Sequence, residues 1–206
     1  MIEVFTVVDV ETTGLDHTAD HLTEIAAIRV ELSTDGTYRE IGRFNTFVAL
    51  PPGAEIPPFI TELTGIKAAD LAGAPDWWNA ISSLRTFAAE SIVVAHNAPF
   101  DLAFLQYGFS PTRFVCTRAL SRLLEPAESA RLADVCTRYD IDLTGHHRAI
   151  NDVEATVKVL AVFWPRIEAE SVCVEYRNVV IDSEERPLTF IPRGAAVRKI
   201  TKEAAA

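Results

Sequence analysis

Apolar and β-branched residues run almost unbroken from Val4 to Val10 and stop at Thr12, Thr13 and Gly14. A short run of that kind, closed by turn formers, predicts a buried strand. Two more strands are predicted over Glu24 to Leu32 and Ile41 to Leu50, with Thr34, Asp35 and Gly36 turning between them as a hairpin. Pro51, Pro52, Pro57 and Pro58 then predict an extended loop. The spacing changes to helical from Asp76, an N-cap behind Pro75, to Ala89. Ser91 to Ala95 is another apolar strand, and a helix follows from Pro99 to Tyr107. Further helices are predicted over Thr117 to Leu124 and Glu128 to Tyr139. A long helix from Ile150 to Glu168 places Val153, Val157, Leu160 and Trp164 on one face at spacings of three and four. Val172 to Ile191 alternates enough for a strand or hairpin. Antiparallel strands followed by mixed strands and helices predict an α/β fold, a central mixed β-sheet flanked by α-helices.

Composition narrows this picture. The chain has 206 residues, 49% of them hydrophobic, enough for one domain with a real core. No basic segment followed by an apolar stretch opens it, and acids interrupt every longer apolar run, so neither a secretory signal nor a membrane span is expected. Its three cysteines, Cys116, Cys136 and Cys173, are scattered, which excludes a disulfide scaffold and fits a cytoplasmic location.

The net charge is −10, from 19 Lys and Arg against 29 Asp and Glu. That excludes a protein that coats nucleic acid through a basic surface. The charge is uneven, however. Residues 1–111 hold 5 basic and 15 acidic groups, and residues 112–206 hold 14 of each. The end of the chain carries Arg186, Arg193, Arg198, Lys199 and Lys202 against Glu203.

Three clusters carry candidate chemistry. Asp9 and Glu11 stand at i and i+2 at the end of an apolar strand, which puts both on one face of the sheet. Two carboxylates side by side at a buried strand end need a neutralising partner, and a hard divalent cation is a suitable one. Capping of the next loop or simple solvation is the alternative. Asp101 lies in HNAPFDLAFL, where Asn97 can cap a helix and Pro99 fits its first turn. An acid there is also favoured by the helix dipole alone. In GHHRAINDVEAT, Asp152 falls in the first turn of the long helix, five residues after His147. A loop histidine beside a carboxylate can serve as a general base, or merely face solvent. His146 has no role that the sequence assigns.

Taken together, four acids and a histidine from three segments meet where strands end and helices begin. VVDVETTGL resembles the first motif of the DEDDh exonucleases, the group that contains the proofreading subunit of bacterial replicative DNA polymerase. HNAPFDLAFL is similar to the second motif and HRAINDVEAT to the third, in the family's order over residues 4–156. The tyrosine-type branch would place Tyr at position 148, which is Arg, whereas His147 matches the histidine branch.

The resemblance implies a ribonuclease H-like fold over residues 1–170, with 171–206 as a C-terminal extension. It implies a 3′-to-5′ exonuclease releasing nucleoside monophosphates, with two divalent ions, Mg²⁺ or Mn²⁺. Asp9, Glu11 and Asp152 would bind one ion, Asp9 would bridge to the second, Asp101 would hold that second ion, and His147 would be the general base. Thr12, Thr13, Gly14 and Leu15 would touch the terminal nucleotide, and Asn97 and Phe100 would line its pocket. The partners would be 3′ ends of single-stranded DNA or RNA, and a polymerase or another subunit. The Thr12–Thr13 pair is more like the DNA proofreading side of the family. Exoribonuclease activity and an inactive binding or scaffold relative are the rivals; the second predicts a lost carboxylate, and all four are present. Many relatives have an Asp-Thr pair where this chain has Cys116-Thr117, which bears on packing rather than on ligands. Beyond about Val172 no family motif is found. An extra sheet edge, a substrate arm or a subunit contact all stand open for that segment.

Overall fold

In the computed structural model, residues 1–169, 176–184 and 186–200 are described. Cys173, Lys202 and the first part of the alternating segment from Val172 lie outside them. Strands β1 (Ile2–Thr12), β2 (Leu22–Ser33) and β3 (Tyr38–Phe47) form an antiparallel meander. Strands β4 (Ile92–Ala95) and β5 (Phe114–Cys116) continue the sheet on the other side of β1, parallel to it and to each other. The order is β3-β2-β1-β4-β5, the mixed sheet expected from the sequence.

Helices cover both faces. The strand alternation sends Val8, Val10, Ile25 and Ala27 to one core with α2 (Trp77–Phe87) and α3 (Ala98–Leu105). It sends Phe5, Val7, Ala26 and Ile28 to a second core with α4 (Thr117–Leu124), α5 (Leu132–Arg138) and α6 (Ala149–Ala169). Val153, Val157, Leu160 and Trp164 of α6 are all buried, and Trp164 meets Phe5 edge-on at 4.8 Å between ring centroids. Asp76 caps α2 as predicted, accepting from the Asn79 N–H.

Two expectations change. The proline-rich segment is not extended throughout. Pro58 to Thr64 forms α1, with Pro58 at a first-turn position where a missing N–H costs nothing. At the other end, the described part of Val172 to Ile191 holds a single strand, β6 (Val179–Ser183), the first of the two alternatives, and it pairs in parallel with an unexpected strand beyond that range, β7 (Ala196–Ile200). Val179, Val180 and Ile181 are buried in the first core.

The β2–β3 turn is fitted to α6. Pro165 lies inside α6 and has no N–H to offer the carbonyl of Ala161. Gly36 packs there, at φ 87°, and a Cβ on it would lie 2.5 Å from that carbonyl oxygen. Gly36→Ala should therefore lower unfolding free energy by roughly 1–3 kcal/mol. Denaturant melts would check this, and unchanged stability would show that the turn yields freely.

Candidate active site

Parity along β1 decides where its acids go. Asp9 and Glu11 share the face of Phe5 and Val7, the face that α6 covers. α6 begins at Ala149, so Asp152 in its first turn reaches the same strand end. One carboxylate oxygen from each of Asp9, Glu11 and Asp152 lies within 4.8 Å of the others. Asp101 comes from the opposite side. It sits in the first turn of α3, is 2% exposed, and accepts the Val10 N–H at 3.3 Å. The parallel strands β1, β4 and β5 all end at this edge, where open α/β sheets form their binding crevices.

The electrostatics are severe. Burial, then the charges of Asp101, Asp152, Glu11 and Glu24, push the Asp9 carboxyl well above its ordinary value. Burial first and Asp152 next raise Glu11 to about 8, with Arg148 opposing. Burial raises Asp101 to about 7. Oxygens bound to a common Mg²⁺ at about 2.0–2.1 Å are at most about 4.2 Å apart, and bound to Ca²⁺ slightly more. A cluster within 4.8 Å, made only of hard oxygen donors and short of positive charge, would need to close only slightly around such a cation.

His147 belongs to this site, but its neighbour makes the shorter contact. His146 Nδ1 lies 2.6 Å from Asp152 Oδ1, while His147 gives its backbone N–H to the other oxygen at 3.4 Å. The two imidazoles stack at 3.7 Å, and His147 has φ 68°. Burial and the adjacent His146 hold the His147 pKa below its ordinary value.

Asp9, Leu15, Asn97, Phe100, Asp101, His147 and Asp152 line one cleft of about 290 Å³. Leu15 is 78% exposed at its mouth, and Phe100 is half-buried against Phe104. Asn97 stands at the α3 N-cap position, but its side chain makes no capping bond. Thr12, Thr13 and Gly14 shape the loop rather than the cleft wall. Thr12 Oγ1 donates to the Gly14 carbonyl, and Thr13 Oγ1 donates to Asp20 while accepting the His21 N–H. A Cβ on Gly14 would lie 2.4 Å from Asp20 Oδ2, so glycine is needed there to admit that carboxylate.

Several residues were not anticipated. Glu24, paired with Glu11 across β1 and β2, is 1% exposed. It accepts two bonds from the Arg148 guanidinium, at 2.9 and 3.1 Å, and one from the Ala149 N–H. Its only signal in the sequence was a lone acid at the start of an apolar strand. His96 is buried between Thr117 Oγ1 and the Ala130 carbonyl, and burial lowers its pKa to about 4. Cys116, where relatives were expected to differ, is buried and donates its S–H to the His96 carbonyl.

The five-stranded mixed sheet with helices on both faces is a ribonuclease H-like fold, as its exonuclease neighbours bear out. The chain belongs to the exonuclease family, whose RNase_T model matches residues 6–160. It is 37% identical over 164 residues to the PolC-type DNA polymerase III of Halalkalibacterium halodurans. That match covers 76% of this chain and 11% of the polymerase, so the chain spans about a tenth of this relative's length. A structure of exonuclease X in complex with 5′ overhanging duplex DNA superposes with a TM-score of 0.65 at 25% identity, over 84% of this chain and 96% of that one. Escherichia coli exonuclease I in complex with a dT13 oligonucleotide superposes at 0.66, over 82% and 43% of the two chains, and at 18% identity shows likeness of fold. Among the described residues, no helix is long and apolar enough to cross a membrane.

The raised carboxyls make a prediction about stability. Glu11 is shifted from near 4.5 to about 8, so it favours the folded chain fully only below its unfolded value. That contribution is lost as pH climbs towards the folded value. Metal-stripped protein should melt at falling temperature from about pH 5 to about pH 8, more steeply than Asp9→Asn, and divalent cations should restore most at the alkaline end. Parallel pH profiles for the two proteins in EDTA would contradict it.

Proposed function

We propose that the chain is a DEDDh-type 3′-to-5′ exonuclease that releases nucleoside monophosphates from the 3′ ends of single-stranded DNA, in proofreading or repair. The observation that carries this reading is the convergence of Asp9, Glu11 and Asp152 within 4.8 Å, beside Asp101 and His147. Family membership and the polymerase relative support the same chemistry.

Asp9, Glu11 and Asp152 would hold one Mg²⁺ or Mn²⁺, with Asp9 shared towards a second that Asp101 holds directly or through water. Such a pair, when bound, supplies positive charge to the attacking and leaving oxygens of a phosphodiester. The protein's own share is placement and proton transfer. An imidazole with a lowered pKa is neutral at pH 7, so His147 is able to accept the proton of the attacking water. The new water-oxygen–phosphorus bond replaces the bond to the 3′ oxygen of the preceding nucleotide. His146, against Asp152, keeps that carboxylate turned towards the strand end. Leu15 and Phe100 offer apolar faces to the terminal base, with Asn97 beside them. Thr12, Thr13 and Gly14 present the loop backbone to the same nucleotide.

Residues 1–170 would form the exonuclease unit and 171–206 an extension to it. A cytoplasmic setting agrees with Cys116 and Cys136, which are both free thiols. The relative's identity as a DNA polymerase supports DNA over RNA as substrate, and a polymerase or another subunit as partner.

With Mg²⁺ or Mn²⁺, the protein should shorten a 5′-labelled single strand one nucleotide at a time, and a matched DNA more readily than RNA. EDTA or Asp9→Ala should abolish cleavage; activity surviving either would remove the metal mechanism. His147→Ala should lower kcat by roughly 10²-fold or more while metal binding, read by calorimetry, persists. An unchanged rate would take His147 out of the chemistry.

A further inference from the structure

The segment after α6 lies beyond the family match at residue 160, yet it is built into the site. Asn178 fastens it to β5: its side chain accepts the Phe114 N–H at 2.7 Å and donates to the Thr112 carbonyl at 2.9 Å. β6 is then anchored in the core by Val179, Val180 and Ile181. The turn that follows is pinned twice. Arg186 N–H reaches Ser183 O at 3.1 Å, and Leu188 N–H reaches Asp182 Oδ1 at the same distance. This brings Arg186 to the mouth of the carboxylate cleft.

Beside that cleft is another, of about 170 Å³, walled on one side by Pro187, Leu188 and Thr189. The two share Leu15, Asn97, Phe100, Arg118 and Arg186, so they form one groove leading away from the carboxylates. Arg118 is held at the start of α4, where its N–H donates to the His96 carbonyl at 2.9 Å. Arg186 is exposed and makes no ion pair among the described residues.

A strand whose 3′ end lies at the carboxylates has its remaining phosphates outside them. Residues 1–111 carry a net charge of −10 and repel those phosphates. Two guanidiniums lining this continuation of the cleft, beside Leu15 and Phe100, meet that need, because a planar fork suits phosphate oxygens. We infer that Arg186, delivered by the C-terminal segment and working with Arg118, grips a backbone phosphate on the 5′ side of the scissile bond. The inference rests on the exonuclease reading for the polarity of the strand. It makes the segment after α6 a substrate arm.

Binding of a short 5′-labelled oligothymidylate in EDTA, followed by fluorescence anisotropy across a salt series, tests it. Loss of one phosphate contact on a single strand should lower the slope of log K against log salt by roughly 0.7. Arg186→Ala should show that loss with affinity several-fold weaker, Arg186→Glu should be weaker still, and Arg186→Lys should keep the slope. Arg39→Ala, which breaks an exposed pair with Glu31 on the edge strand, is the control and should change nothing. In turnover with Mg²⁺, Arg186→Ala should raise KM more than it lowers kcat. An unchanged salt slope in Arg186→Ala overturns the contact, even if wild type degrades DNA. Wild type that binds with an Arg186-dependent slope but never cleaves overturns the exonuclease reading and leaves the contact standing.

Discussion

The end of β1 concentrates more negative charge than a folded chain tolerates without compensation, and the surrounding architecture answers to that constraint. Asp9, Glu11, Asp101 and Asp152 would repel each other apart if their backbones were free to move. All four are instead fixed by three rigid elements: β1 is central in the sheet, α3 is largely buried, and α6 packs along the second core. Glu24 adds a fifth acid at the same place, and it is the one the protein neutralises itself. Its bidentate pair with Arg148 and its bond to the Ala149 N–H tie β2 to the first turn of α6. Glu24 is buried while Arg148 reaches solvent, so the pair itself contributes little net stability, but removing the arginine would leave a buried carboxylate without its cation. The pair's value lies in placement, since it sets where α6 starts and therefore where Asp152 points.

That division between neutralised and unneutralised acids separates scaffold from site. Glu24 is satisfied by Arg148, whereas Asp9 and Glu11 have raised carboxyls and no comparable cationic partner among the described residues. Folding stability is given up there, and a divalent cation would return it. The same logic extends outward. The carboxylate cleft is acidic, and the arginines stand at its rim, Arg118 on α4 and Arg186 on the C-terminal turn. Negative charge sits where cations would bind, and positive charge where a strand's phosphates would leave.

Much of this was legible in the chain because it rests on local periodicity. A two-residue spacing at a strand end placed Asp9 and Glu11 on one face, and helix-start chemistry placed Asp101 and Asp152. The first four strands, the long α6 and its buried face followed from apolar spacing, whereas the sheet order and the three-residue β5 did not. What escaped was whatever depends on partners distant in sequence. Glu24 looks like an ordinary strand acid until Arg148 is brought to it across 124 residues. His96 reads as part of a motif until Thr117 and Ala130 close on it. The helix at Pro58 was missed because prolines break helices everywhere except in the first turn, and only the surrounding packing reveals which position they hold. β7 was missed because Ala196–Ile200 is short and mostly exposed, with no buried alternation to mark it.

The adjacent histidines show why local pattern alone could not assign roles. Consecutive residues in one loop differ only by backbone direction, and the left-handed conformation at His147 turns its ring onto that of His146 instead of onto Asp152. His146 then takes the carboxylate, at 2.6 Å. If both imidazoles pressed on Asp152, each would compete with a cation for the same oxygens. With the His146 ring on one oxygen and only the His147 backbone N–H, at 3.4 Å, on the other, Asp152 keeps one oxygen clear of an imidazole. The stacked ring is partly desolvated and beside a second imidazole, so its own protonation is disfavoured. A base must be neutral before it can act, and a ligand must stay oriented before it can bind. If His147 is the base and Asp152 a ligand, as proposed, the left-handed turn at His147 would serve both requirements, which would be a reason for the loop to carry two histidines.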